Sequence, residues 1–368
     1  MLLRDSREGL NGEMEYMAID EQKLNELVQK VIEDIGATFH APLVLIGDKL
    51  GLFIALDGAE PMTPSELAAK CGVAERYVQE WLAAMAAGGY VSYDAHTKRF
   101  FLTEAQALVL ARQNSPCFMA GAFQAATAAL KSEPKITQAF ISGKGVGWDE
   151  HDDEFYQGAE RFYRPNYVAN LVSSWIPALD GVAEKMAAGA NVADVGCGFG
   201  TSTILMAKAF TKSAFTGFDS HPPSIAAARK AAAEAGVSGN ARFEVCAAED
   251  LAPAGYDFIT TFDCLHDMGA PVTAARKALQ ALKPDGTWMI VEPFAGDRIE
   301  DNFTPVGRLY YSASVLLCVP GALAQDNGIA LGGQAGERRL REIITHAGFS
   351  RFRRTAHTAI NLVFEARP

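Results

Sequence analysis

A chain of 368 residues is too long for one ordinary core and too short for three, so two domains of unequal size are expected and a small disulfide scaffold is excluded. With 49% hydrophobic and 21% charged residues it can bury a sizeable core. Its net charge of -11 repels nucleic acid and anionic membranes unless a basic patch stands apart from the rest.

The first twenty residues read as a flexible extension, and their early charges do not make a signal peptide. From Asp20, a capping residue, the apolar positions Leu24, Leu27, Val28, Val31, Ile32 and Ile35 follow the rhythm of an amphipathic helix. A second helical segment is expected after Pro42, ending near Gly51. The stretch Ala41–Leu56, taken as the longest apolar run, carries Asp48 and Lys49 and is too short for a bilayer. Thr63-Pro64-Ser65-Glu66 has the form of a capping box with proline at the first helical position, and the helix it opens should stop at Cys71-Gly72. Another helix over 74–87, then short strands at 90–93 and 99–103, complete a winged helix-turn-helix pattern.

Charge decides what that pattern can do. Residues 61–104 set Lys70, Arg76, Lys98 and Arg99 against Glu66, Glu75, Glu80, Asp94 and Glu104, a net -1 where a phosphate-gripping module should be positive. A structural or dimerising role over 21–115 fits better, and no nucleic-acid partner is expected. An Ala-rich helix, Phe118–Leu130, leads through a loop with Gly143, Gly145 and Gly147 into a segment, 116–180, read as a helical linker and pocket lid.

The rest, 181–368, alternates strands with helices, which predicts an α/β, Rossmann-like domain with a seven-stranded, mainly parallel sheet. The strands are placed at 191–195, 214–218, 241–246, 257–262, 287–292, 350–356 and 359–365. Helices are placed at 202–210, 223–235, 270–282 and 337–347. The last two strands lie so close in sequence that they must form an antiparallel hairpin.

The first of these strands runs into Asp194-Val195-Gly196-Cys197-Gly198-Phe199-Gly200-Thr201, a glycine turn that opens a helix and lets a ligand lie on the backbone. The spacing is G-x-G-x-G rather than the G-x-G-x-x-G of a dinucleotide fold, and no phosphate-loop lysine follows. Asp219 ends the second strand about 20 residues on, where a carboxylate can accept from ribose hydroxyls. A nicotinamide-dependent dehydrogenase, or a turn needed only for packing, stays open on these residues alone.

Together these residues resemble the class I S-adenosylmethionine-dependent methyltransferases over about 175 residues. Asp194, Gly196, Gly198 and Gly200 match that family's first motif, Asp219 its ribose-binding acid, and Ala247–Leu251 its adenine segment. The resemblance implies S-adenosyl-L-methionine as cofactor, with Ala248 and Glu249 edging the adenine and Phe262 and Asp263 beside the methionyl group. The winged-helix half is similar to the small-molecule O-methyltransferase group, whose His-Asp-Trp sequence stands here as His266-Asp267-Met268. By that likeness His266 is the general base, Asp267 its neighbour and Glu292 the acid that orients it.

Scattered thiols and a charged N-terminus make a reducing cytoplasm the expected compartment, and a homodimer acting on a small, largely apolar acceptor, most simply by O-methylation, is expected. N- or C-methylation without a base, and a ligand-sensing transcription regulator, are the alternatives. Trp148–Tyr163 and Phe303–Val319 should close the acceptor cavity. Cys71, Cys117, Cys197, Cys246, Cys264 and Cys318 are too scattered for a disulfide or zinc framework and read as reduced thiols. His151-Asp152-Asp153 reads as solvated surface, and no metal site is expected.

Overall fold

The structure, a computed structural model, describes residues 19–325 and 328–368. All but the last two residues of the expected N-terminal extension lie outside that range. The first helix is continuous from Glu21 to Lys49, with Asp20 capping it by accepting from the Lys23 amide at 3.2 Å and with Pro42 inside it. The expected break at Pro42 is absent. The capping box at Thr63 and Glu66 forms as expected, and Gly72 closes that helix, Pro64–Cys71, in the left-handed region at φ 68°. Helix Glu75–Ala87 buries Val78, Trp81, Leu82 and Met85, and β1 (Ser92–Asp94) pairs antiparallel with β2 (Arg99–Phe101) to make the wing.

Seven strands form the second sheet: β3 (Asn191–Val195), β4 (Ala214–Asp219), β5 (Ala241–Val245), β6 (Tyr256–Phe262), β7 (Leu282–Pro293), β8 (Arg351–His357) and β9 (Asn361–Arg367). Their spatial order is β5-β4-β3-β6-β7-β9-β8, parallel except where β9 pairs with β7 and β8. From β3 the chain winds outward through β4 and β5, then returns to place β6 on the other side of β3. Loops after β3 and β6 therefore diverge, and a crevice opens between their carboxyl ends.

Alternation along each strand feeds two cores, one on either face. Val192, Phe215, Phe258 and Met289 pack with Leu171, Trp175, Met206 and Ile225, while Ala193, Ile259, Ile290 and Phe364 pack with Ala275, Leu340, Ile343 and Ile344. A third core belongs to the winged region and includes Phe53, Leu67, Trp81 and Met85.

Two helices span the gap between these units. Ala120–Leu130 lies against Asp153–Asn170 so closely that a Cβ on Gly158 would stand 2.3 Å from the Ala125 amide, which explains the small residues in both. Arg161, on the second of them, donates to both carboxylate oxygens of Asp48 on the first helix at 2.7 and 2.9 Å, and to Gln124 at 2.8 Å. The helical run Pro305–Leu323, which takes in most of the segment Phe303–Val319 expected to close the cavity, is nineteen residues long and apolar enough by length and composition to cross a membrane. In the fold it widens into a π turn at Ser314–Cys318 and buries Tyr310, Leu317, Cys318 and Ala322.

Because Asp48 is only 8% exposed, Asp48→Ala strands the Arg161 guanidinium beside the interhelical seam. The loss should be about 2 kcal/mol, read by urea unfolding followed by circular dichroism. An unchanged midpoint would show that this pair does not hold the helices together.

Candidate active site

The crevice is the mouth of a cleft of ≈ 1670 Å³ that runs from the β3 turn to the helices above it. That exceeds the range of about 300–1,000 Å³ typical of one small ligand, so two molecules can lie in it side by side.

Its floor is the turn after β3. Gly196, Gly198 and Gly200 all have positive φ, of 74°, 52° and 80°, but for different reasons. A Cβ on Gly196 would meet the Cys264 sulfur at 2.5 Å, and one on Gly200 would meet Phe243 at 2.7 Å. A Cβ on Gly198 would meet nothing within 4 Å, because that position faces the cleft. The turn is pinned from below by Asp194, 1% exposed, whose carboxylate accepts from Ser202 and Thr203 at 2.6 Å and from Thr260 at 2.9 Å. Burial raises its pKa, and the three hydroxyls hold the rise in check. Neither Asp194 nor Gly200 lines the cleft, so within the matched motif these two serve the shape of the turn.

Asp219 does line it. Its Oδ2 accepts from the Gly198 amide at 2.8 Å and its Oδ1 from the His221 amide at 2.9 Å, which leaves a lone pair on each oxygen. Burial raises its pKa against those two hydrogen bonds. Ala248, Glu249, Phe262 and Asp263 also line the cleft. Asp263 sits at φ 49° and accepts from the Tyr167 hydroxyl at 2.7 Å and the Asn361 amide at 2.6 Å. Burial pushes its carboxyl up to about 7. Tyr167 and Asn361 come from helix Asp153–Asn170 and β9, and no spacing in the sequence links them to Asp263.

Beyond Asp263 the chain makes one 3-10 turn, Leu265–Asp267. His266 is 3% exposed, with Nδ1 2.6 Å from Glu292 Oε2 and Nε2 3.2 Å from Asp267 Oδ1. Glu292 Oε1 also accepts from the Leu265 amide at 2.9 Å, so one carboxylate holds both the ring and its backbone. Burial disfavours the charged imidazolium, but Asp267 and Glu292 outweigh it and raise the His266 pKa well above its ordinary value. His266 and Asp267 reach the cleft, whereas Glu292 stands behind the ring.

The roof is largely apolar. Trp148, Phe155, Tyr156 and Tyr163 come from one of the two expected segments, and Phe303, Tyr310, Tyr311 and Leu317 from the other. The Tyr156 hydroxyl donates to the Trp148 carbonyl and ties that segment to itself. His151 departs from the reading as solvated surface. It is 6% exposed, packed between Trp148 and Phe155, with a ring nitrogen 3.1 Å from Ser132. Asp152 caps the following helix and pairs with Lys131.

Residues 187–346 match the Methyltransferase domain family, and residues 39–112 match the Rv2258c-like winged HTH domain family. The chain carries a methyltransferase domain behind a winged helix-turn-helix domain. Its fold is that of an O-methyltransferase from Nostoc punctiforme described as putative, at 18% identity and TM-score 0.72, covering 92% of this chain and 98% of that one. It is also that of mitomycin 7-O-methyltransferase (18% identity, TM-score 0.68, 94% and 100% covered) and of human N-acetylserotonin methyltransferase (16%, 0.65, 96% and 99%). No curated protein sequence matches.

The different surroundings of the glycines in this methyltransferase predict different failures. Gly200→Ala drives a methyl into Phe243 and should cost about 2–4 kcal/mol of stability. Gly198→Ala should cost only the roughly 1 kcal/mol of a left-handed alanine, yet weaken S-adenosylmethionine at least tenfold in a calorimetric titration. Equal affinity in Gly198→Ala and the parent would place the nucleoside elsewhere.

Proposed function

We propose that this methyltransferase moves a methyl group to a hydroxyl of a small, largely apolar acceptor, with His266 as general base. The observation that carries the reading is a buried imidazole fixed through Nδ1 by Glu292, with its Nε2 side at the cleft. The empty space over Gly198, the two free lone pairs of Asp219 and the size of the cleft fit the cofactor. Gly196 and Gly198 would pass its methionine part, Asp219 its ribose, Ala248 and Glu249 its adenine, and Phe262 and Asp263 its amino-acid end. When bound, the cofactor supplies a sulfonium methyl, already activated for in-line displacement.

The chain's own groups then have three tasks. The aromatic roof excludes water and packs the acceptor's apolar body. Glu292 accepts from Nδ1 and so leaves the lone pair on Nε2, facing the acceptor. His266 takes the hydroxyl proton as the oxygen turns nucleophilic, and the imidazolium that results is stabilised by the two carboxylates beside it.

A raised His266 pKa has opposite consequences for rate and for stability. The base works only when neutral, so kcat/KM should climb with pH through a midpoint above the ordinary range of a histidine. The ion pairs add stability in full below the unfolded-state pKa, and that contribution is lost as pH rises through the folded value. His266→Gln should remove at least 100-fold of the rate and flatten the pH profile while S-adenosylmethionine still binds. Methyl transfer should be sought over phenols, hydroxyquinones and hydroxy acids paired with their methoxy forms. A parent-like rate in His266→Gln would end the general-base role.

We also propose a homodimer. The first helix leaves Leu24, Leu27, Val28, Val31, Ile32, Ile35 and Phe39 exposed along one stripe, while Lys30, Asp34, Ala37, Thr38 and Ala41 on its other side reach the cleft. A stripe so long and apolar calls for cover, and a second copy brings an identical one. Arg76 and Arg99 are paired with Glu80 and Glu66, which leaves the winged helix little free positive charge for DNA. The double variant Leu27→Glu/Val31→Lys should convert the parent dimer to a monomer in sedimentation velocity; a monomeric parent would remove this role.

A further inference from the structure

Cys318 takes no part in the methyl-transfer scheme, yet its thiol stands against the imidazole on which that scheme depends. It lies in the π turn of the roof helix, 9% exposed, and shares the cleft wall with His266 and Asp267. One donor atom from each of the three, the cysteine sulfur, a histidine ring nitrogen and a carboxylate oxygen, all fall within 4.8 Å of one another. Asp267 Oδ1 is buried and has no hydrogen-bond partner among the described residues, although His266 Nε2 is 3.2 Å away. Nδ1 of the same ring is held by Glu292 at 2.6 Å, the carboxylate–histidine arrangement that orients metal-binding imidazoles.

We infer that His266, Asp267 and Cys318 form an inhibitory site for a thiophilic divalent cation, with zinc the ion that these nitrogen, oxygen and sulfur donors suit best. Bonds of about 2.0–2.3 Å in a tetrahedron put neighbouring donors roughly 3.3–3.8 Å apart. The His266–Asp267 spacing meets that already, and the widest pair has to close by about 1 Å, within reach of a side-chain rotation. The fourth position faces the cleft. On binding, the thiol and the imidazolium each release a proton to solvent, and the cation takes the sulfur and Nε2 lone pairs so exposed.

Inhibition rests on the general-base reading, because the metal occupies the lone pair that would accept the acceptor's proton. A divalent charge beside the sulfonium site also opposes a cationic cofactor.

Cobalt(II) titrated into the full-length protein tests the site without any acceptor. One equivalent should raise a thiolate-to-cobalt charge-transfer band that zinc bleaches, that Cys318→Ser abolishes, and that Asp267→Asn and His266→Gln weaken. In methyl-transfer assays, zinc should inhibit the parent, and half-inhibition should need at least tenfold more zinc in Cys318→Ser, each variant being compared with its own metal-free rate. No band in the parent, or the same band in Cys318→Ser, overturns the site. A normal band with no effect of zinc on the rate overturns the inhibition together with His266 as base. A rate lost in His266→Gln with no band in the parent leaves the base standing and removes the metal.

Discussion

The carboxylate of Asp194 governs the geometry of everything above it. It stands next to last in β3 inside the protein, where an unpaired charge would be costly, and it is tolerated because Ser202, Thr203 and Thr260 surround it with hydroxyl donors. Two of those donors begin the helix after the glycine turn and the third belongs to the neighbouring strand β6. One buried group therefore ties the turn, the helix start and both strands of the switch point. Without it the floor of the cleft has no fixed shape.

The same edge of the sheet gathers further acids: Asp219, Asp263, Asp267 and Glu292, all at or just beyond strand ends. Asp219, Asp263 and Glu292 are satisfied in part by neighbouring donors, and burial raises the pKa of the three aspartates. Concentrating carboxylates in a poorly hydrated crevice opposes folding, since a buried like-charge set destabilises the compact state. It also makes a strongly negative site that suits a cofactor carrying a sulfonium and an ammonium. The crevice is in this sense incomplete alone, and a cationic ligand relieves the repulsion it contains.

Much of the architecture was legible because the periodicities are strong. All seven strands and the four clearest helices of the second domain fall within a few residues of their expected places, and β8 and β9 form the antiparallel hairpin that their short connection demanded. The largest departure is β7, which starts at Leu282 rather than Thr287 because Lys283-Pro284-Asp285-Gly286 reads as a turn. In the first domain the breaker signal of Pro42 was overridden within a long helix. His151 could not be recognised as buried either, because adjacent acids make any sequence segment look solvated while its neighbours Trp148, Phe155 and Ser132 are brought in by tertiary packing.

By itself the sequence determined the sheet class, the glycine turn, the acid at the end of β4 and the His-Asp pair after β6, since each of these is written within a few consecutive residues. Tertiary structure alone decided which of them face the cleft. It separated Gly198 from Gly196 and Gly200, turned Asp194 inward, set Glu292 behind His266, and brought Tyr167, Asn361 and Cys318 to the same crevice. The reason is physical: hydrogen bonds and donor clusters between residues 26 to 98 positions apart depend on where crossovers return the chain, and local pattern holds no record of that distance.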